Sequence, residues 1–218
     1  LLPRDFIELG SKLGISTQVA ITYGEEPISH TIGPALEARE ALEILMRKGR
    51  VTDAVEKAVE VAGILLEIVG ERGGKELALS ALRGGRAEEK LREIIEAQGG
   101  DPGIRPDDIG VGRYELDVRA ERSGYVLWMN NFSLVQAARL AGAPKDKEAG
   151  IYLHRKIGDR VEKGESILTV YSNREYRLDK IDELLEETKA IGVGKRYEML
   201  IAKVKEVEER KRAFLLER

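Results

Sequence analysis

The chain has 218 residues, 42% hydrophobic and 34% charged, and its 36 basic and 39 acidic side chains leave a net charge of -3. That length supports one large domain or two smaller ones with cores of their own, and the near balance of charge provides no field suited to a nucleic-acid polymer. With no cysteine there is no disulfide, thiolate metal site or thiol nucleophile, and two histidines, His30 and His154, are too few for a zinc cluster.

The opening residues, LLPRDFIELG, lack the basic start and cleavage site of an export signal. No later apolar run approaches the roughly 18 residues that span a bilayer. The expectation is a cytoplasmic chain with no membrane partner, and the weight of Glu, Lys and Arg over Met resembles the bias of heat-adapted proteins. Leucine and isoleucine at helical spacing in PRDFIELGSKLG predict a helix, and the β-branched run VAITYG after it predicts a buried strand. The loop EEPISHTIG then empties into a helix at Pro34. Proline needs no N–H donor at a first helical position, Gly33 suits the cap, and Glu37 and Glu40 lie in or near the first turn, where the helix dipole favours negative charge. A helix start is also where an anion can be held, but these residues complete this one without a ligand.

The segment TDAVEKAVEVAGILLEIVGERGG carries apolar residues every three or four positions, with Thr52 or Asp53 as its cap and glycine at its end. Further helices are expected in GKELALSALRGG and AEEKLREIIEAQGG. The Pro-, Gly- and Asp-rich stretch DPGIRPDDIGVGR, 101–113, marks a boundary that divides the chain into 1–105 and 106–218. Beyond it the period changes, since Tyr114, Leu116 and Val118 alternate with charged residues as on a half-buried strand. An apolar strand follows, whose Trp128 and Met129 are expected in the core. Then come a short helix in FSLVQAARLAG, two strands, AGIYLHRKIG and GESILTVYS, joined by DRVEKG, and two closing helices near 175–190 and 196–216. The fold class is α/β in the broad sense, α+β in its order of elements.

Phosphate-loop and dinucleotide spacings fail in GERGGKE, GVGKRY and GVGRYE, which read as turn glycines. His154, on a predicted strand, and His30, in the loop before Pro34, read as hydrogen-bonded structural histidines. GDRVEKGESILTV is similar to the hammerhead repeat of biotinyl and lipoyl carriers, but Lys163 lacks the Met-Lys-Met or Asp-Lys-Ala context of their modified lysine, so the likeness is read as shared β architecture.

Three segments in order carry more: AITYGEEPISHTIGPALEAREAL, GRAEEKLREIIEAQGGDP, and ERSGYVLWMNNFSLVQAARLAGAP running into GIYLHRKIGDRVEKGESILTVYS. Over roughly residues 1–190 they resemble the C-terminal half of the thymidine and pyrimidine-nucleoside phosphorylase family, and TIGPALEA is similar to its archaeal AMP-specific branch. The resemblance implies the C-terminal part of a large mixed-sheet α/β domain, then a β-rich hammerhead-like unit and terminal helices. It implies phosphorolysis, in which inorganic phosphate as co-substrate attacks C1′ of a nucleotide or nucleoside while the base departs. For AMP the products are adenine and ribose 1,5-bisphosphate.

The family's anion cradle is a Gly-rich run of the Lys-His-Ser-Thr-Gly-Gly type, and its base contacts come from an Arg, a Ser and a Lys. No segment here matches them, so the chain is expected to hold no catalytic residue and to be inactive alone. The family's dimer surface lies on a helical domain that these residues do not match, so the chain alone is expected to be a monomer while the whole enzyme is a homo-oligomer. The resemblance assigns one site, for a monovalent cation, to the carbonyls of Ile28 and Thr31 and the carboxylate of Glu40, all hard oxygen ligands. The alternatives are an unphosphorylated pyrimidine nucleoside as substrate, or a non-enzymatic carrier or assembly module centred on Lys163.

Overall fold

The computed structural model describes residues 2–48 and 52–195. Helix α1 (Leu2–Lys12) forms where the leucine spacing predicts it, yet Phe6, Ile7 and Leu9 are all exposed. VAITYG, expected as a buried strand, is neither paired nor buried, and Ile21 is 87% exposed. β-branched residues make a strand only where a neighbour completes the ladder, and no described strand lies beside this run.

Strand β1 (Thr31–Ile32) leads into α2 (Pro34–Leu45) with proline at the helix start. Gly33 takes φ 125°, and a Cβ there would stand 2.5 Å from the Ala149 carbonyl oxygen, so only glycine lets the two segments close on each other. The Gly33 amide donates to Glu37 Oε1 at 2.9 Å and the Ala35 amide donates to the Lys147 carbonyl at 3.0 Å. Two donors at this helix end are thus satisfied from within, as the cap residues predict.

Helices α3 (Asp53–Ile68, capped by Thr52), α4 (Gly74–Arg83) and α5 (Arg86–Ala97) follow in the expected places. The α3–α4 crossing brings backbone onto backbone, because a Cβ on Gly74 would lie 2.1 Å from the Gly63 carbonyl oxygen. α5 buries no residue completely despite its amphipathic pattern.

After a 3-10 turn at Pro106–Asp108 the chain turns to β structure. β2 (Tyr114–Arg119) keeps Leu116 and Val118 half-buried between exposed neighbours, matching the alternation in its sequence. β3 (Gly124–Met129), β4 (Gly150–Leu153), β5 (Arg160–Val161), β6 (Ser166–Ser172) and β7 (Ile191–Gly194) complete two antiparallel sheets, ordered β1-β4-β6-β2 and β5-β3-β7. Helices α6 (Asn131–Ala141) and α7 (Leu178–Glu187) pack on them. The core gathers Leu134 and Ala138 from α6, Ile181 and Leu185 from α7, Ile151 and Leu153 from β4, and Leu168 and Val170 from β6. β1 reaches this sheet from before α2, pairing Thr31 with Tyr152 and Ile32 with Ile151.

In the β-rich part three details differ from the sequence reading. Trp128 is 48% exposed rather than in the core, because the register slips between Val126 and Trp128 and turns the ring outward over Gly192, with Nε1 donating to the Lys189 carbonyl at 3.3 Å. Met129 is buried as expected. The DRVEKG connection contains β5, which pairs with β3. The helix expected up to residue 190 ends at Glu187 and is followed by β7, whose IGVG sequence reads as a turn until β3 pairs with it. The helix expected over 196–216 lies outside the described residues. Among the described residues no helix is long and apolar enough to cross a membrane.

Candidate functional site

The loop ahead of α2 gathers polar groups from three parts of the chain. Ser29 holds φ 63°, a left-handed conformation uncommon for a side chain of its type, and is buried. Its amide donates to Asp53 Oδ1 at 3.0 Å and its hydroxyl donates to Glu40 Oε1. The Thr31 hydroxyl donates to Glu40 Oε2, and the His30 amide reaches Glu40 Oε1 at 3.3 Å. Lys156, from the turn after β4, donates through Nζ to the carbonyls of Pro27 and Ser29 (2.9 Å) and to Asp53 Oδ2 (3.1 Å). Glu26 Oε2 lies 3.8 Å from the same ammonium and accepts the Ile157 amide at 2.9 Å. Asn131 Nδ2 donates to the Gly24 carbonyl at 3.0 Å, tying the loop to α6.

Burial alone would raise the Asp53 carboxyl; the Ser29 amide and the Lys156 ammonium outweigh it and hold it below the usual carboxylate range. Glu40 differs in kind. Its donors are two hydroxyls and an amide, all neutral, and among the described residues no cationic side chain pairs with it within 4 Å. A half-buried carboxylate among neutral dipoles, beside a cavity of about 700 Å³ also lined by Ile28, Ser29 and Thr31, is a donor set of hard oxygens with one negative charge. It suits a monovalent cation better than a divalent one. Among the described residues no group of three or more Asp, Glu or His side chains is arranged to hold a metal.

Both histidines are held by neighbours. His30 Nδ1 lies 2.7 Å from the Leu153 carbonyl, so it carries the proton there, and its ring stacks on Tyr152 at 6.2 Å. His154 Nε2 lies 2.8 Å from Thr169 Oγ1, and that hydroxyl donates to Asp117 Oδ1 at 2.6 Å. Thr169 has a single proton and gives it to the carboxylate, so the imidazole is the donor to Thr169 and not a base for it. Burial pushes the His154 imidazole below its ordinary value, and the Thr169 hydroxyl, aided by Arg119, does the same for Asp117. Lys163 stands exposed at the turn between β5 and β6, with its amide donating to Ser123 Oγ at 2.9 Å.

Residues 125–192 match the pyrimidine nucleoside phosphorylase C-terminal domain. The chain is 47% identical over 194 residues to AMP phosphorylase from Thermofilum pendens, covering 89% of this chain and 38% of that protein. It is 50% identical over 181 residues to AMP phosphorylase from Methanosarcina acetivorans and 52% identical over 182 residues to the one from Pyrococcus abyssi, each covering 82% of this chain and 36% of the relative. The chain belongs to the pyrimidine-nucleoside phosphorylase family.

It spans less than two-fifths of the length of these curated relatives. Within the chain the tertiary structure brings Thr31 and Glu40 together through a hydrogen bond and places Ile28 on the same cavity. The sequence reading missed Ser29, Asp53 and Lys156. Asp53 is legible only as a helix cap and Lys156 only as a polar residue of the strand expected in AGIYLHRKIG, which ends at Leu153, because their meeting joins positions more than 100 residues apart.

Proposed function

We propose that this chain is the C-terminal portion of a nucleotide phosphorylase that cleaves AMP or a related nucleoside monophosphate. A phosphate oxygen forms a bond to C1′ of the ribose as the N-glycosidic bond breaks; the bonding pair leaves with the base, which takes up a proton, and ribose 1,5-bisphosphate remains. The observation that carries this reading is the 47–52% identity to AMP phosphorylases over 82–89% of the chain. A pyrimidine nucleoside as substrate is the second reading, favoured by the match of residues 125–192 to the pyrimidine nucleoside phosphorylase domain.

The role of these 218 residues within that activity is supportive. Phosphorolysis needs donors aimed at an oxyanion and at the departing base. The described histidines are committed to Leu153 and Thr169, and donors at the start of α2 are committed to Glu37 and Lys147. In this reading the chain by itself is inactive and monomeric, while the whole enzyme is a cytoplasmic homo-oligomer. A monovalent cation is held by the Ile28 and Thr31 carbonyls and the Glu40 carboxylate, where it neutralises Glu40 and fixes the loop in front of α2.

Incubation with AMP and phosphate tests the first part: the 218 residues release no adenine, a full-length protein carrying them releases it only when phosphate is present, and CMP, UMP, thymidine and uridine run in parallel separate the two substrate readings. Release without phosphate, or no release from the full-length protein with any of these, sinks the proposal. For the cation, potassium raises the melting temperature relative to choline at equal ionic strength, and Glu40→Gln abolishes the difference. An identical response to both salts in the unsubstituted protein removes the site.

A further inference from the structure

The ammonium of Lys156 is placed as an ion would be. Its side chain is 12% exposed, and its three protons meet three oxygens: the carbonyls of Pro27 and Ser29 and Asp53 Oδ2, with Glu26 Oε2 3.8 Å away. A buried ammonium is tolerated only when paired and fully hydrogen-bonded, and this one is both. Two of its ligands are backbone carbonyls of one loop, a donor set that recognises a small cation and no particular side chain. The third, Asp53, also accepts the Ser29 amide, so the N–H and the C=O of the same left-handed residue are gripped by the two halves of one ion pair. The Ser29 hydroxyl points the other way, onto Glu40.

We propose that Lys156 is the positioning residue of this loop: its ammonium acts as a tethered monovalent cation that locks Ser29 and, through the Ser29 hydroxyl, sets the Glu40 carboxylate. Lys156 sits in the turn after β4, whereas the loop precedes α2, so the clamp transmits the order of the β-rich part to the loop. Its functional consequence, that Glu40 is preset for a free cation on the opposite side, rests on the cation reading given above. The clamp itself stands on the geometry of Lys156, Asp53 and Ser29. Left-handed backbone at a non-glycine residue persists only where its surroundings over-determine it, and here amide, carbonyl and hydroxyl are each tied to a different partner.

Hydrogen exchange on the full chain tests this without any activity. In Lys156→Ala the amides of Ser29 and His30 exchange at least about tenfold faster, while those of Ile151 and Val170 in the core keep their wild-type rates. n-Propylammonium chloride, which replaces the three carbons and the nitrogen that the substitution removes, restores protection; tetramethylammonium chloride at the same ionic strength does not. Unchanged exchange at Ser29 and His30 overturns the proposal, and so does a loss that neither salt restores or that both restore equally. If Lys156→Ala also loses protection at Ile151, Asp53→Asn attacks the clamp from its exposed side, and a folded Asp53→Asn protein with wild-type exchange at Ser29 and His30 overturns it as well. The potassium-against-choline comparison on the unsubstituted protein is a separate readout, so failure of the cation reading and failure of the clamp give different results.

Discussion

The helical first part and the β-rich second part carry apolar residues in equally regular patterns, and they use them differently. From Ala120 to Ala190 the patterns close on one another: two sheets and two helices share a single buried cluster with Ile151, Leu153, Leu168 and Val170 at its centre. From Leu2 to Tyr23 the side chains of Phe6, Ile7, Leu13, Ile21 and their neighbours face outward, and α5 buries nothing completely. The difference teaches that amphipathic periodicity specifies a helix but not its cover. Burial requires a facing surface: α2 and α3 find one for Leu36, Leu42, Val55 and Val59, whereas among the described residues the apolar side chains of α1 and VAITYG do not. The alignments to AMP phosphorylases cover 36–38% of the relatives, and an apolar face of this kind fits the proposal that these residues work within a longer enzyme.

Four measurements break or sharpen that contrast. The largest effect is expected in the closed part: Leu168→Ala, at a fully buried position, costs about 2–5 kcal/mol in urea unfolding, through lost transfer energy and the cavity left behind. A cost under about 1 kcal/mol would mean that the β-rich core is not the cooperative unit. Next comes the junction. Gly33→Ala forces a Cβ toward the Ala149 carbonyl from a backbone with φ 125° and costs about 1–3 kcal/mol by the same assay, with β1 detaching from β4 as loss of amide protection at Leu153.

A smaller effect is expected from acid. The folded state disfavours the charged form of His154, so the unfolded chain takes up that proton first, and stability present above the imidazole's ordinary 6.5 is lost as pH falls below it toward the folded value. Asp117 and Asp53 are held below their ordinary 3.8, so their contribution is present above that value and is lost as pH falls through the lower folded ones. His154→Gln should flatten the first of these two losses and leave the second, read as melting temperature against pH. The smallest effect belongs to the open part: Phe6→Ser and Ile21→Ser should each change stability by no more than about 0.5 kcal/mol, because both side chains are already exposed. A loss comparable to that of Leu168→Ala would show that the first part has a cover of its own.

Much of this fold is legible in the sequence. The start of α2 follows from Gly33, Pro34 and Glu37, whose backbone preferences and reach are local. α3, α4 and α5 follow from periodicity and their flanking glycines, and β2 from strict alternation. The misreadings share a cause. VAITYG has strand composition without a described strand beside it, IGVG lacks strand composition but has β3 beside it, and Trp128 has core chemistry but is turned out by a register slip. Each outcome was decided by a neighbour that the segment does not encode. The candidate site divides in the same way: Thr31 and Glu40, nine residues apart, are paired by the family resemblance, whereas Lys156 and Ser29, separated by 127 positions, are paired by nothing in the sequence.

The sequence alone determined where helices begin, which stretches alternate, and that this chain has no thiol, because each depends on residue identity over a few positions. Its motifs also pointed to the family that the alignments then showed. Tertiary structure decided which apolar faces are covered, which extended runs become strands, and that one lysine from the β-rich part supplies a positive charge to a loop in the helical part. Those outcomes depend on distances between residues far apart in the chain, and only the folded backbone sets such distances.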